Sequence, residues 1–386
     1  MLEKALTGSR RYWTWVGFLA LVIAAGFLAY WRQLNEGLMI TGLSRDVPWG
    51  FYIAQFTFMV GVAASAVMVV LPYYLHNFKP FGKMVILGEC LAIAAVIMCM
   101  LFIFVDMGQP TRVLNVMRFP TVNSLMFWDM MSLMGYLGLN VVISLVVFGA
   151  ERKGVAPPDW IRPVIILSIP WAVSIHTVTA FLYSGLEARS FWLTAILVPR
   201  FLASAFASGP SLLIILSLLV RRFTKFDPGR EAIKELSLIV TYALSVNIFF
   251  VAVELFTGLY SDIPEHVHHF QYLFLGLEGK SALAPWMWLS VSLSILALIL
   301  MYVPAVRRNE RVLPFICAGI IVAVWIEKGL GLVVAGFIPN PLGGITEYFP
   351  TVPETLITLG VYGIGFLILT GLYKIAITVR EQNRIL

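Results

Sequence analysis

Apolar runs of about twenty residues recur along this chain, separated by short clusters of charge, and that alternation limits the fold more than any other feature. A run of that length is what an α-helix needs to cross the hydrocarbon of a bilayer. Ten can be marked, at about 13–31, 50–72, 84–105, 124–148, 163–184, 201–220, 237–258, 285–303, 312–337 and 355–377. With 60% hydrophobic and 12% charged residues among 386, no water-soluble core fits, and an all-α polytopic membrane protein is the expected class. The first run is too long for a signal-peptide core and lacks a small-residue cleavage site, so it reads as an uncleaved anchor. Arg10-Arg11 has the look of a twin-arginine signal, but that route carries folded proteins, and nine further spans argue against it.

The basic balance, a formal +6, is explained by topology. With the amino terminus inside, the cytoplasmic segments hold nineteen Lys and Arg and the opposite loops seven, leaving Lys328 within span 9. This positive-inside asymmetry predicts ten spans in the cytoplasmic membrane with both termini cytoplasmic. No aromatic-basic patch suggests nucleic acid, so lipid is the partner that the charge pattern implies. Cys90, Cys99 and Cys317 all lie within spans without metal-ligand spacing, so no iron–sulfur or zinc site is expected. His76 falls at the inner face and His176 in the outer third, too far apart to share a haem iron. His266, His268 and His269 form an outer-loop cluster that reads as solvated or interfacial.

Weak similarities suggest an internal repeat. Ala63-Ala64-Ser65-Ala66 resembles Ser208-Gly209-Pro210-Ser211 at an offset of 145, Asp106 matches Glu254 at 148, and Arg162 matches Arg311 at 149. The last places His176 opposite Trp325, half a turn from Glu327. Two related four-helix bundles of the same orientation, spans 2–5 and 6–9, are expected, with spans 1 and 10 outside them. The corresponding divisions are 1–47, 48–190, 191–340 and 341–386.

Ionisable residues inside apolar spans are costly and mark function by default. Counting helical rise from the inner face puts His176 at roughly 21 Å, Glu327 at roughly 24 Å and Glu254 at roughly 28 Å, with Asp129 within about 10 Å of the outer face. The polar residues thus gather in the outer third, where His176, Asp129, Tyr183 and Arg200 form a cluster that could hold a ligand and take its protons. Tyr52 and Gln55, at the start of span 2, join that candidate site. Glu89 alone lies toward the inner face, and with Asp106, Asp129, Glu254 and Glu327 it outlines a candidate proton path. The same buried carboxylates would serve a transporter or ion conductor, but no paired Gly/Pro-broken helices stand out; a passive anchor for redox subunits is the third reading.

Several motifs follow one another in order: Trp49-Gly50, Asp106…Pro110…Arg112, Asn123-Ser124…Asp129…Asn140, Ile175-His176-Thr177-Val178, and Arg200-Phe201…Ser204-Ala205…Ser208-Gly209. Together they resemble the NrfD/polysulfide-reductase membrane-subunit family, in its ten-span branch that includes the Dsr/Hme type. The resemblance covers most of residues 48–340. It implies a subunit of a menaquinol-oxidising oxidoreductase with no haem or iron–sulfur cluster of its own. Menaquinone would be its bound substrate, oxidised near the outer face. An extracytoplasmic ferredoxin-like iron–sulfur subunit, with further cytochrome or membrane subunits, would receive the electrons. Some ten-span relatives carry a histidine after the tryptophan that follows the histidine helix; here Trp192 is followed by Leu193.

Overall fold

The computed structural model describes residues 7–382, and among these the chain is helical, without strands. Ten helices are long and apolar enough to span a membrane: α1 Arg10–Glu36, α2 Phe51–Leu75, α3 Lys79–Asp106, α4 Leu125–Lys153, α5 Ile161–Ser184, α6 Leu197–Phe223, α7 Arg230–Ser261, α8 Ala284–Tyr302, α9 Leu313–Ala335 and α10 Val352–Arg380. All ten expected runs are found, most of them longer than their apolar cores because the helices carry on into the charged clusters. The largest extension is α7, which runs on to Ser261 and leaves Glu254 about two turns from its end. The chain is a multi-pass membrane protein.

Packing closes α2–α5 into one four-helix ring and α6–α9 into a second; α10 lies against α3, and α1 against α10. The α1–α10 contact is backbone on backbone, since a Cβ on Gly26 would stand 2.6 Å from Gly360 Cα. Small residues permit that approach in lipid, where van der Waals contact drives association.

The two rings meet chiefly through α2, which is apolar all round and accordingly central. Of the thirteen residues Phe51–Ala63, all but Phe51 are buried. Gly61 meets Ala205, and Ser65 meets Gly209, so each residue faces the one 144 positions later. Like-on-like contacts at successive heights are what an axis along the helices between two related bundles produces. The two small-residue stretches thus meet at the join, in a register one residue from the offset of 145 read in the sequence.

Two spans depart from regular α geometry in their interior. Ala64–Ala66 forms a 3₁₀ turn within α2, and Trp325–Gly331 forms a π-helical segment within α9. Both helices remain continuous, consistent with the absence of broken helices expected from the sequence.

Hydrogen bonds sort the connections into two faces. On one, Glu354 accepts from Gly42 N, Tyr348 OH and Thr351 N, and Ser190 Oγ donates to the Glu265 carbonyl. On the other, Arg380 joins Glu151 to the Lys83 carbonyl. Successive loops alternate between the faces, as ten spans require.

Candidate functional site

Three polar groups line one face of α5, because residues 176, 179 and 183 recur at three- and four-residue spacing. Thr179 Oγ1 donates to Asp129 Oδ1 on α4 at 2.7 Å. Tyr183 OH shares a 2.5 Å hydrogen bond with Thr57 Oγ1 on α2. His176 is fully buried, and neither ring nitrogen has a hydrogen-bond partner among the described residues. Asp129, His176 and Tyr183, three of the residues expected at the site, therefore share one column in the first bundle.

Above the column lies an aromatic cap. The Tyr183 ring is 5.5 Å from Trp49, 5.0 Å from Trp192 and 5.9 Å from Phe201, all edge-on, and Phe337 closes against both tryptophans. Trp192 Nε1 donates to the Leu332 carbonyl, pinning the cap to α9.

A second polar group occupies the other bundle. The Arg200 guanidinium on α6 forms ion pairs with Glu254 on α7 and Glu327 on α9, and Asn247 Nδ2 donates to Glu327 Oε2 at 3.4 Å. All four residues are buried. Arg200, expected beside a quinone oxygen, has its guanidinium between two carboxylates. Lys328, next in sequence to Glu327, turns the other way: Nζ donates to the Phe201 carbonyl at 3.2 Å, lies 4.3 Å from the Phe201 ring centroid, and stands 3.5 Å from where a Gly61 Cβ would be. Lys328 thus lies between α6 and the glycine of α2, where the two rings meet.

The remaining expected residues fall elsewhere. Tyr52 OH donates to Gln33 Oε1, and Gln33 Nε2 donates to the Val105 carbonyl, so Tyr52 braces α1 against α2 and α3. Gln55 Oε1 accepts from Trp325 Nε1 at 2.8 Å and Tyr362 OH at 2.6 Å, on the side of α2 turned toward α9 and α10. Glu89 and Asp106 sit toward opposite ends of α3, each with one buried carboxylate oxygen lacking a hydrogen-bond partner. The histidines at 266, 268 and 269, expected in a loop, lie on a short helix, Pro264–Phe274, and His269 is not solvated but buried, with Nδ1 2.8 Å from the Ala335 and Ile338 carbonyls; burial pushes its pKa below the ordinary imidazole range.

Lys328, Thr57, Thr179 and Asn247 were not among the expected site residues. Lys328 carried a signal, a charge inside an apolar run beside Glu327. The threonines and Asn247 carried none, since short polar side chains in spans most often bond their own helix, as Thr57 and Thr179 also do.

A family model described as "Polysulphide reductase, NrfD" matches residues 39–338. An Archaeoglobus fulgidus protein named Hdr-like menaquinol oxidoreductase integral membrane subunit is 27% identical, the alignment covering 98% of this chain and 97% of that protein. A selenate reductase subunit of Mesobacillus selenatarsenatis is 22% identical, over 97% and 95%. Among solved structures, bd oxidase from Geobacillus thermodenitrificans superposes with a TM-score of 0.54 at 11% identity, over 94% of this chain and 99% of that one, a likeness of fold alone. With the family match spanning both bundles and two relatives aligned nearly end to end, this ten-span chain belongs to the NrfD family.

Proposed function

We propose that the chain is the quinone-interacting subunit of a respiratory redox complex in the cytoplasmic membrane. In this reading both termini are cytoplasmic and menaquinol is oxidised near the outer face. Its two electrons pass directly to an extracytoplasmic ferredoxin-like iron–sulfur subunit, accompanied by further cytochrome or membrane subunits. The name of the Archaeoglobus relative supports the substrate class.

The observation that carries the reading is the α5 column. A quinol needs partners for two hydroxyls and acceptors for two protons. His176 offers two ring nitrogens with no other commitment, Asp129 is a carboxylate held by one threonine hydroxyl, and Tyr183 is fixed by Thr57. Imidazole and carboxylate can each take a proton as the electrons leave. The aromatic cap limits water at that point. Exposed apolar side chains on the same face, among them Phe119, Tyr260 and Leu275, are the kind of surface that becomes covered in a complex.

Proton movement is the finer part. Release at the outer third with electrons leaving outward moves no net charge, so coupling needs a path from the inner face. Glu89 would be its mouth, with Asp106, Asp129, Glu254 and Glu327 as the outer members; about 25 Å of helix separates Glu89 from Asp106, a gap that only intervening waters or hydroxyls can bridge. The test is lipid extraction and mass spectrometry of the purified complex, where stoichiometric menaquinone is expected and its absence would overturn the reading. In quinol-oxidising liposomes, Glu89→Gln should lower the membrane potential; unchanged turnover and potential would remove Glu89 from any path.

A further inference from the structure

A cavity of about 340 Å³ lies between α2, α9 and α10, on the far side of α2 from the α5 column. At about 100° per residue, Gln55 and Thr57 project in nearly opposite directions from α2. Thr57 serves Tyr183, while Gln55 lines this second space. The walls are apolar and rich in rings, with Phe51, Phe58, Trp325, Tyr362 and Phe366 around it.

Two hydrogen-bond donors on this lining make no hydrogen bond among the described residues. An indole N–H can only donate, so the Trp325 bond fixes Gln55 with its oxygen toward Trp325 and Tyr362 and its amide NH₂ turned away from both. That NH₂ makes no hydrogen bond among the described residues. Thr358 also lines the cavity; it is 3% exposed, and its Oγ1 has no partner among the described residues. An unmet polar group costs free energy in an apolar place unless something arrives to pair with it. What the pair asks for is an acceptor, and the ring-lined walls ask for a flat apolar body.

We propose that this cavity is a second quinone site, distinct from the α5 column, in which a ring carbonyl accepts from Gln55 Nε2 and Thr358 Oγ1. It rests on the quinone reading for its ligand class but not on the assignment of the oxidation site. A lipid acyl ester also offers a carbonyl, though not a planar ring, so the experiment must separate the two.

The probe is a photoreactive azido-naphthoquinone with a short prenyl tail, irradiated with the purified complex in nanodiscs, with adducts located by mass spectrometry. Adducts are expected on 51–59 or 355–369 as well as on α4 and α5. Gln55→Leu with Thr358→Val should lower the former at least tenfold and spare the latter, and His176→Phe should do the reverse. Should the double variant not fold, Thr358→Val alone, which keeps the side-chain shape, should still lower the 355–369 adducts severalfold. Adducts confined to α4 and α5 would overturn the second site and leave the proposed function standing. Adducts confined to the cavity would keep this site and overturn the assignment of the column. Phospholipid recovered with the cavity peptides, with no quinone adduct there, would also overturn it, and adducts nowhere would overturn both.

Discussion

The two bundles treat their buried polar groups in opposite ways. In the second, Arg200, Glu254 and Glu327 hold one another in ion pairs, and Asn247 takes a further carboxylate oxygen. In the first, Asp129 and Tyr183 have one hydroxyl partner each, and His176 has none. Charges that satisfy each other have little left for a ligand, whereas groups held on one side only can still receive one. One bundle, on this comparison, uses its buried polar groups to fix position, and the other leaves them open to a ligand.

Breaking the paired copy should have the largest effect. Arg200→Met leaves two carboxylates buried without a cation, which typically costs about 3–5 kcal/mol. Thermal unfolding in detergent should show it, and a stability within error of wild type would mean that the ion pairs are not a lock. In the other copy the expected loss is of function. His176→Phe keeps a ring and breaks no hydrogen bond, so unfolding should be little changed while quinol turnover falls by about 10²-fold or more, the range for a positioned acid or base. Equal losses of stability and turnover would blur the comparison.

The join between the copies comes next. A Cβ on Gly209 would stand 2.5 Å from Ser65 Cβ and 3.2 Å from the Gly61 carbonyl, so Gly209→Ala forces α6 away from α2. Overpacking of this kind costs about 1–3 kcal/mol, and cross-linking between Cys substitutions on the facing helices should report the separation. Smallest is Thr179→Val, which removes one interhelical hydrogen bond from Asp129; in membranes such bonds average about 0.6 kcal/mol and reach about 1.7. A larger drop in turnover than in stability would show that Asp129 needs the hydroxyl for its orientation.

Much of this was legible in the residues. Spans follow from hydropathy because lipid leaves the backbone no alternative to a helix. The column on α5 was legible as well, since 176 and 183 lie on one helical face and Asp129 at a matching depth. Depth and helical face say where a group stands along and around its own helix, however, and do not say which helix stands opposite. Hence Tyr52 and Gln55, three residues apart, find partners on α1 in one case and on α9 and α10 in the other. Arg200 lay at the expected depth too, but two acidic side chains from other helices reached it first. Thr358 gave no sign at all, because an unmet hydroxyl is a property of neighbours.

The widened turn of α9 has a consequence for comparing sequences. Between Trp325 and Gly331 the helix holds more residues per turn than a regular α-helix. Gly329, against the Ala54 carbonyl, and Gly331, against Met287, let it do so in a crowded place. Its expected counterpart α5 is α-helical throughout. The offset of 149 that carries Arg162 to Arg311 brings His176 to Trp325, the first residue of the wide turn, and past that turn the two helices no longer keep step. An alignment of the halves at that offset would need its gap inside a membrane helix, where gap penalties are commonly set highest, so a kinship of the two bundles would be hardest to read just where their polar groups diverge.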